Sequence, residues 1–244
     1  MFTRKQTFCQ LKLIITCEHG GNQIPPIYQT YFKDQEAMLA SHRAYDPGTL
    51  DLWKEVKGLA DFSIKNEISR LLIEFNRSLH HPQLFSEISK KFSIEQKEQL
   101  LQQYYFPYRN SVEQQIGEWI NLNEKVLHLS LHSFTPILHG DLRNADMGIL
   151  YDSSKLDEKN FCKKFKTQLQ QELPEFNIRF NYPYLGKADG LTTYLRKKFP
   201  RNYLGIELEI NQKYAVDNQF PKYLKTAIVR VIEQLQENKH SVAE

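Results

Sequence analysis

The chain has 244 residues, enough for one large α/β domain or two small ones. Hydrophobic residues at 41% and aromatics at 12% allow a sizeable core, and a net charge of +3 with acids and bases interspersed is too mild to point to nucleic acid. Three widely spaced cysteines, Cys9, Cys17 and Cys162, exclude a disulfide framework and a CxxC metal site and suit a reducing compartment.

The opening "MFTRKQTFCQLKLIIT" sets basic residues before an apolar stretch, as a signal peptide does. That stretch is short, is interrupted by Lys12 and lacks a cleavage-like site of small residues. No apolar run approaches membrane-spanning length, so a soluble cytoplasmic protein is expected. Leu11–Cys17 reads as a buried strand ended by Gly20-Gly21. Residues 34–60 read as helical with an interruption at Pro47, and Asp46 is placed to act as an N-cap. "ISRLLIEFN" reads as a second strand, and residues 93–122 as a long amphipathic helical region that packs on the sheet. "VLHLSLHSF" alternates like a strand, and "MGILYD" is a short one. "EKNFCKKFKTQLQQEL" is a helix, "YLGIELEI" a late strand and "YLKTAIVRVIEQLQEN" a closing helix. Strands alternating with helices, with no linker or repeat, predict a single α/β domain over residues 1–244 around a parallel or mixed sheet.

In such sheets ligands bind beyond the carboxyl ends of the strands. Polar residues end the predicted strands at His19, Asn76-Arg77, His132-Ser133 and Glu209. Two neutral imidazoles with a carboxylate and water suit catalytic zinc, and the plainer alternative is a hydrogen-bonded histidine at each strand end. His128 shares a strand face with His132 and reads as packed. Alternation puts Glu207 and Glu209 on one face and Ile206, Leu208 and Ile210 on the other. A carboxylate among apolar neighbours is costly unless paired, so Glu207 and Glu209 suggest a general base and partner, against the alternative of a solvated edge. Arg70 and Arg77 are read near opposite ends of one strand, and Arg143 follows the His132 strand; guanidinium forks of this kind grip carboxylates. Cys17 lacks a readable low-pKa context, Ser133 lacks a G-x-S-x-G elbow, and Gly20-Gly21 lacks a phosphate-loop lysine. That glycine pair is explained by a positive-φ turn or by close approach.

The blocks "CEHGGNQIP", "AYDPG", "SRLLIEFNRSLHHP", "LSLHSFTPILHGDLRNADMGILYD", "NYPYLGKADGLTTYLR" and "LGIELEINQ" resemble, in order, those of the N-formylglutamate amidohydrolase family. That family is related in fold to zinc carboxypeptidases and aspartoacylase. The resemblance implies an α/β/α sandwich with a mixed central sheet and one Zn2+. It implies His19 and His132 as metal ligands, Arg70 as oxyanion stabiliser and Glu209 as the group that activates water. It gives Asn76-Arg77 the task of holding a substrate carboxylate, with Arg143 as a second clamp. The carboxypeptidases take a ligand from His-x-x-Glu, whereas the third residue after His19 is Asn22. Asp46, which recurs in the family's motif, is therefore chosen as third ligand, with Glu18 and Asn22 as rivals. The expected activity is hydrolysis of the amide of a small N-acyl, for instance N-formyl, amino acid bearing a carboxylate. A non-catalytic binder of a small carboxylate on the same fold is the alternative, and a cysteine hydrolase built on Cys17 and His19 a distant third. Neither a nucleic acid nor a membrane is an expected partner.

Overall fold

Apolar runs and their alternation decide the architecture. The computed structural model describes residues 11–237, so Cys9 and most of the leader-like opening lie outside the described residues. Strands β1 (Leu11–Cys17), β2 (Phe62–Lys65) and β3 (Lys125–Phe134) are followed by a small hairpin, β4 (Ile137–Leu138) and β5 (Asp141–Leu142). After them come β6 (Met147–Leu150), β7 (Ile178–Phe180) and β8 (Tyr203–Asn211). One six-stranded sheet has the order β2-β1-β3-β8-β6-β7. β1, β2, β3 and β8 are mutually parallel, and β6 and β7 run against them. The sheet is mixed, as expected.

The helices are α1 (Glu36–Leu39), α2 (Thr49–Val56), α3 (Ile94–Leu100), α4 (Phe106–Asn121), α5 (Leu156–Glu172), α6 (Leu191–Lys198) and α7 (Lys222–Glu237). On one sheet face, Leu13, Ile15, Leu127, Leu129, Leu131, Ile206 and Leu208 pack against apolar residues of α2, α5 and α7. On the other, Ile14, Val126 and Tyr203 meet α4, α6 and residues 71–75. Three layers result, an α/β/α sandwich. Residues 93–122 are helical but not continuous: a π turn over Leu101–Tyr105 joins α3 to α4 just before Pro107. Proline has no N–H and its ring crowds the preceding turn, so a widened turn accommodates it.

Two expectations fail. "ISRLLIEFN" is not a strand: residues 69–78 form successive turns, with the Leu72 amide donating to Ser69 O at 2.9 Å and the Arg70 amide to Ala44 O at 3.0 Å. Leu71, Leu72, Ile73 and Phe75 are all buried in the α4-side core. An unbroken apolar run is enclosed on all sides, so it has no period from which strand could be told from coil. Asp46 does not cap α2, because Gly48 occupies the N-cap and the Asp46 carboxylate is turned elsewhere.

Gly148 on β6 is where another strand's neighbour comes closest. A Cβ there would lie 1.8 Å from Tyr182 O and 3.3 Å from Glu209 Cβ. Gly148→Ala is therefore expected to cost about 1–3 kcal/mol through overpacking, read as a lower midpoint in urea unfolding. An unchanged midpoint would show that the 181–190 segment yields freely.

Candidate active site

The site grows from the carboxyl ends of β1, β3 and β8. At the end of β1 the chain delivers Glu18 and His19 and then Gly20-Gly21, which lies flat against residues 66–67. A Cβ on Gly21 would come within 2.6 Å of Glu67 O, and the Gly20 amide donates to Asn66 O at 3.0 Å. Close approach, rather than a positive-φ turn, is what requires these glycines. β3 carries a buried polar column on an otherwise apolar strand: His128, Ser130 and His132. β8 sets Glu209 opposite His132 and Glu207 opposite Ser130.

These separated pieces converge. The rings of His19 and His132 have centroids 5.0 Å apart. Their Nδ1 atoms lie 3.2 and 3.0 Å from one oxygen, Asp46 Oδ2. Each outer nitrogen also meets a carboxylate: His19 Nε2 pairs with Glu74 Oε1, and His132 Nε2 lies 3.4 Å from Glu18 Oε2. Ser130 Oγ donates to Glu18 Oε2 at 2.7 Å and stands 2.9 Å from His132 Nε2. Arg70 closes the group, with Nη1 3.1 Å from Asp46 Oδ1 and Nε donating to Glu74 Oε2 at 2.8 Å. His19, Asp46 and His132 offer ligand atoms within 4.8 Å of one another, all buried.

Burial opposes charge on both histidines, but the carboxylates overcome it. Asp46's hydrogen bond and the charges of Glu18 and Asp46 push His132 up to about 10. His19 is raised by Glu74 and Asp46 despite burial and Arg70. Asp46 and Glu74 are held below the usual carboxylate range: burial works against this, and His19 and Arg70 prevail. Glu209 behaves oppositely. Burial pushes its carboxyl up to about 8, and its Oε2 is buried with no hydrogen-bond partner among the described residues. The donor set fits a divalent cation: two Nδ1 atoms and a carboxylate oxygen face one point, while the outer nitrogens are held by acids as metal-bound imidazoles usually are.

Other sequence-chosen residues fall around this centre. Arg77, Asn76, Arg70 and Glu209 line a cavity of about 170 Å3, closed on one side by Tyr184, Leu185, Ala188 and Asp189. Arg143 does not line it; its Nη1 donates to Tyr184 OH at 3.1 Å, and its guanidinium lies 5.0 Å from that ring's centroid. Asn22 stands apart, donating to Leu39 O. Cys17 is buried in the opposite core with its thiol pushed well above the ordinary range by burial, which removes the nucleophile a cysteine hydrolase needs. Two further acids carry little signal in the sequence. Glu74 holds His19 and Arg70, and its signal was a lone acid inside "LLIEFN". Asp189, in "KADG", left no signal beyond its turn residues.

The family model described as N-formylglutamate amidohydrolase matches residues 11–215. The chain belongs to the N-formylglutamate amidohydrolase family. It is therefore a hydrolase of amide bonds. Among solved structures, gene product Atu2144 from Agrobacterium tumefaciens aligns with a TM-score of 0.73 at 23% identity, covering 95% of this chain and 91% of that one. The N-formylglutamate amidohydrolase from Ralstonia eutropha JMP134 aligns at 0.72 and 15% identity, covering 96% of each. A metallo-carboxypeptidase from Burkholderia cenocepacia is a weaker likeness, at 0.45 and 11% identity over 100% of this chain and 60% of that one. No curated protein sequence matches. Among the described residues no helix is long and apolar enough to cross a membrane.

Below the family's site, His128 is the packed histidine of the β3 column. It sits between Thr16 Oγ1 and Tyr203 OH, each at 2.7 Å, and burial pulls it down to about 4. The unfolded chain, with an ordinary value of 6.5, takes up the proton first as pH falls. Stability is thus expected to drop between pH 6.5 and 4, by an amount on the order of 3 kcal/mol from this residue. Urea unfolding at pH 7 and pH 4.5 should show a smaller difference for His128→Gln than for wild type; an equal difference would place the acid sensitivity elsewhere.

Proposed function

We propose that this amidohydrolase is zinc-dependent and cleaves the C–N bond of a small N-acyl amino acid, N-formyl derivatives included. The carrying observation is the convergence of two imidazole Nδ1 atoms on one Asp46 oxygen beside the orphaned Glu209 oxygen. His19, Asp46 and His132 would hold the ion beside the cavity that all three line. Asp46 is preferred to Glu18 because it faces the inner nitrogen of both rings, whereas Glu18 faces an outer nitrogen. Bound there, a divalent cation supplies a Lewis acid for the attacking water and the acyl carbonyl.

The chain's own groups divide the rest. Glu209 takes the proton of the attacking water at its free Oε2 and returns it to the leaving amine. Its raised pKa suits both halves of that exchange. Arg70, fixed by Asp46 and Glu74, lines the cavity and stabilises the developing oxyanion; one such donor is worth about 2.7–4 kcal/mol in other enzymes. Arg77 receives the substrate carboxylate. Asn76 is held by accepting the Leu191 amide at 2.7 Å and braces that wall.

Metal analysis of the purified protein, then chelation and zinc add-back during a screen of N-acyl amino acids, tests the reading. Activity lost with the metal and restored by zinc is the expected result. Full activity in the metal-free protein overturns zinc dependence, and a zinc-loaded protein inert on the whole screen overturns the substrate class.

A further inference from the structure

The cavity carries an asymmetry of charge that bears on the side chain of the substrate. Of its two arginines, Arg70 is already ion-paired with Asp46 and Glu74. Arg77 has no carboxylate partner among the described residues, and it is the guanidinium left for a ligand. Arg143, which a second substrate carboxylate would need, is outside the cavity on Tyr184. Two further acids line the wall, Asp189 and Glu207, and neither has an ion-pair partner among the described residues. Glu207 is only 9% exposed and accepts a hydrogen bond from Thr192 Oγ1 at 2.5 Å. Asp189 is tied to the arginine itself: Arg77 Nη1 donates to the Asp189 carbonyl, and the next amide, Ser78 N, donates to Asp189 Oδ2 at 3.0 Å. The Arg77 guanidinium and the Asp189 carboxylate therefore stand side by side on one wall, with no ion pair between them among the described residues.

A dicarboxylate such as N-formylglutamate would give one carboxylate to Arg77 and bring the other against unpaired acids, with no second cation free of ion pairs to receive it. Juxtaposed like charges in a partly buried site are strongly disfavoured. Resting on the N-acyl amino acid reading above, we propose that the preferred substrate has one carboxylate and a cationic side chain, an N-acylated basic amino acid. Arg77 takes its carboxylate, and Asp189, which lines the same cavity as Glu207, takes its cation.

The test compares zinc-loaded wild type and Asp189→Asn on N-formyl-L-lysine, N-formyl-L-glutamine and N-formyl-L-glutamate, with calorimetric titration of free lysine and glutamate alongside. The asparagine keeps an acceptor for the Ser78 amide, and a thermal melt checks its fold. Wild type is expected to favour the lysine derivative over the glutamate derivative by at least about tenfold in kcat/KM, and Asp189→Asn to erase that preference. Equal or better turnover of the glutamate derivative overturns the proposal. If none of the three is hydrolysed, the N-formyl reading fails, and titration still decides this one: lysine binding that Asp189→Asn abolishes supports it, and glutamate binding as tight as lysine, or no lysine binding, overturns it. Should the variant not fold, the wild-type comparison decides alone.

Discussion

Glu209→Gln is expected to lower kcat by roughly 10²–10⁴-fold while the metal stays bound. The substitution preserves shape and removes the ability to accept a proton, so it separates the general-base role from packing. β8 holds Glu209 directly opposite His132, and Gly148 lies opposite it on the other side, so an amide of the same size has room. The side chain has no donor on Oε2 to lose. If the residue were only a buried acid, the change would remove a carboxyl that burial disfavours and leave turnover alone or improve stability. A rise in KM with unchanged kcat would mean that Glu209 binds substrate equally in ground and transition states. Turnover within tenfold of wild type, with zinc content unchanged, would refute the assignment.

How much of this was readable before folding depends on what each residue's signal consists of. β1, β3, β6 and β8 announce themselves because their apolar runs are short and end in polar residues, and His19, His132 and Glu209 follow from where those runs stop. The edge strands β2 and β7 have four and three residues, too few for a period to show. Residues 69–78 mislead for the opposite reason. Four buried apolar side chains within five positions look like a strand, yet Ser69 binds Gln23 O and accepts the Leu72 amide, which winds the segment into turns. Those turns are what bring Arg70 and Glu74 together beside His19. The position of Asp46 was likewise invisible to periodicity. A loop between α1 and α2 carries it to the two strand tips, with the Asp46 amide donating to His19 O at 2.9 Å. Local pattern makes it an N-cap, and the family motif alone points to a metal ligand. Glu18 is a rival ligand by sequence, but it meets His132 at the outer Nε2, so adjacency to His19 is a poor guide: it serves the other histidine.

That division between inner and outer carboxylates makes the second large effect. Asp46→Asn is expected to weaken zinc binding by well over the roughly 10–100-fold typical of losing an outer-shell partner, and Glu18→Gln to weaken it within that range. Asp46 Oδ2 is within 3.2 Å of both Nδ1 atoms, so its loss removes one donor of three and leaves two neutral imidazoles to hold a dication. Glu18 touches no inner atom. It is fully buried, held by Ser130 Oγ at 2.7 Å and Tyr108 OH at 3.3 Å, and would act on a bound ion only by fixing the tautomer and tilt of His132 through Nε2. Glu18 is also held low in pKa, since the charges of His132 and His128 outweigh its burial, so it remains an anion that raises the basicity of its ring. Competition titration with a zinc chelator measures both affinities, and the visible spectrum of the cobalt-substituted protein reports the ligand field. Asp46→Asn should change that spectrum strongly, and Glu18→Gln should shift it slightly with the coordination number preserved. If the two variants lose affinity equally, the distinction between a carboxylate on the ion and a carboxylate on the histidine is wrong, and Glu18 must itself reach the cation.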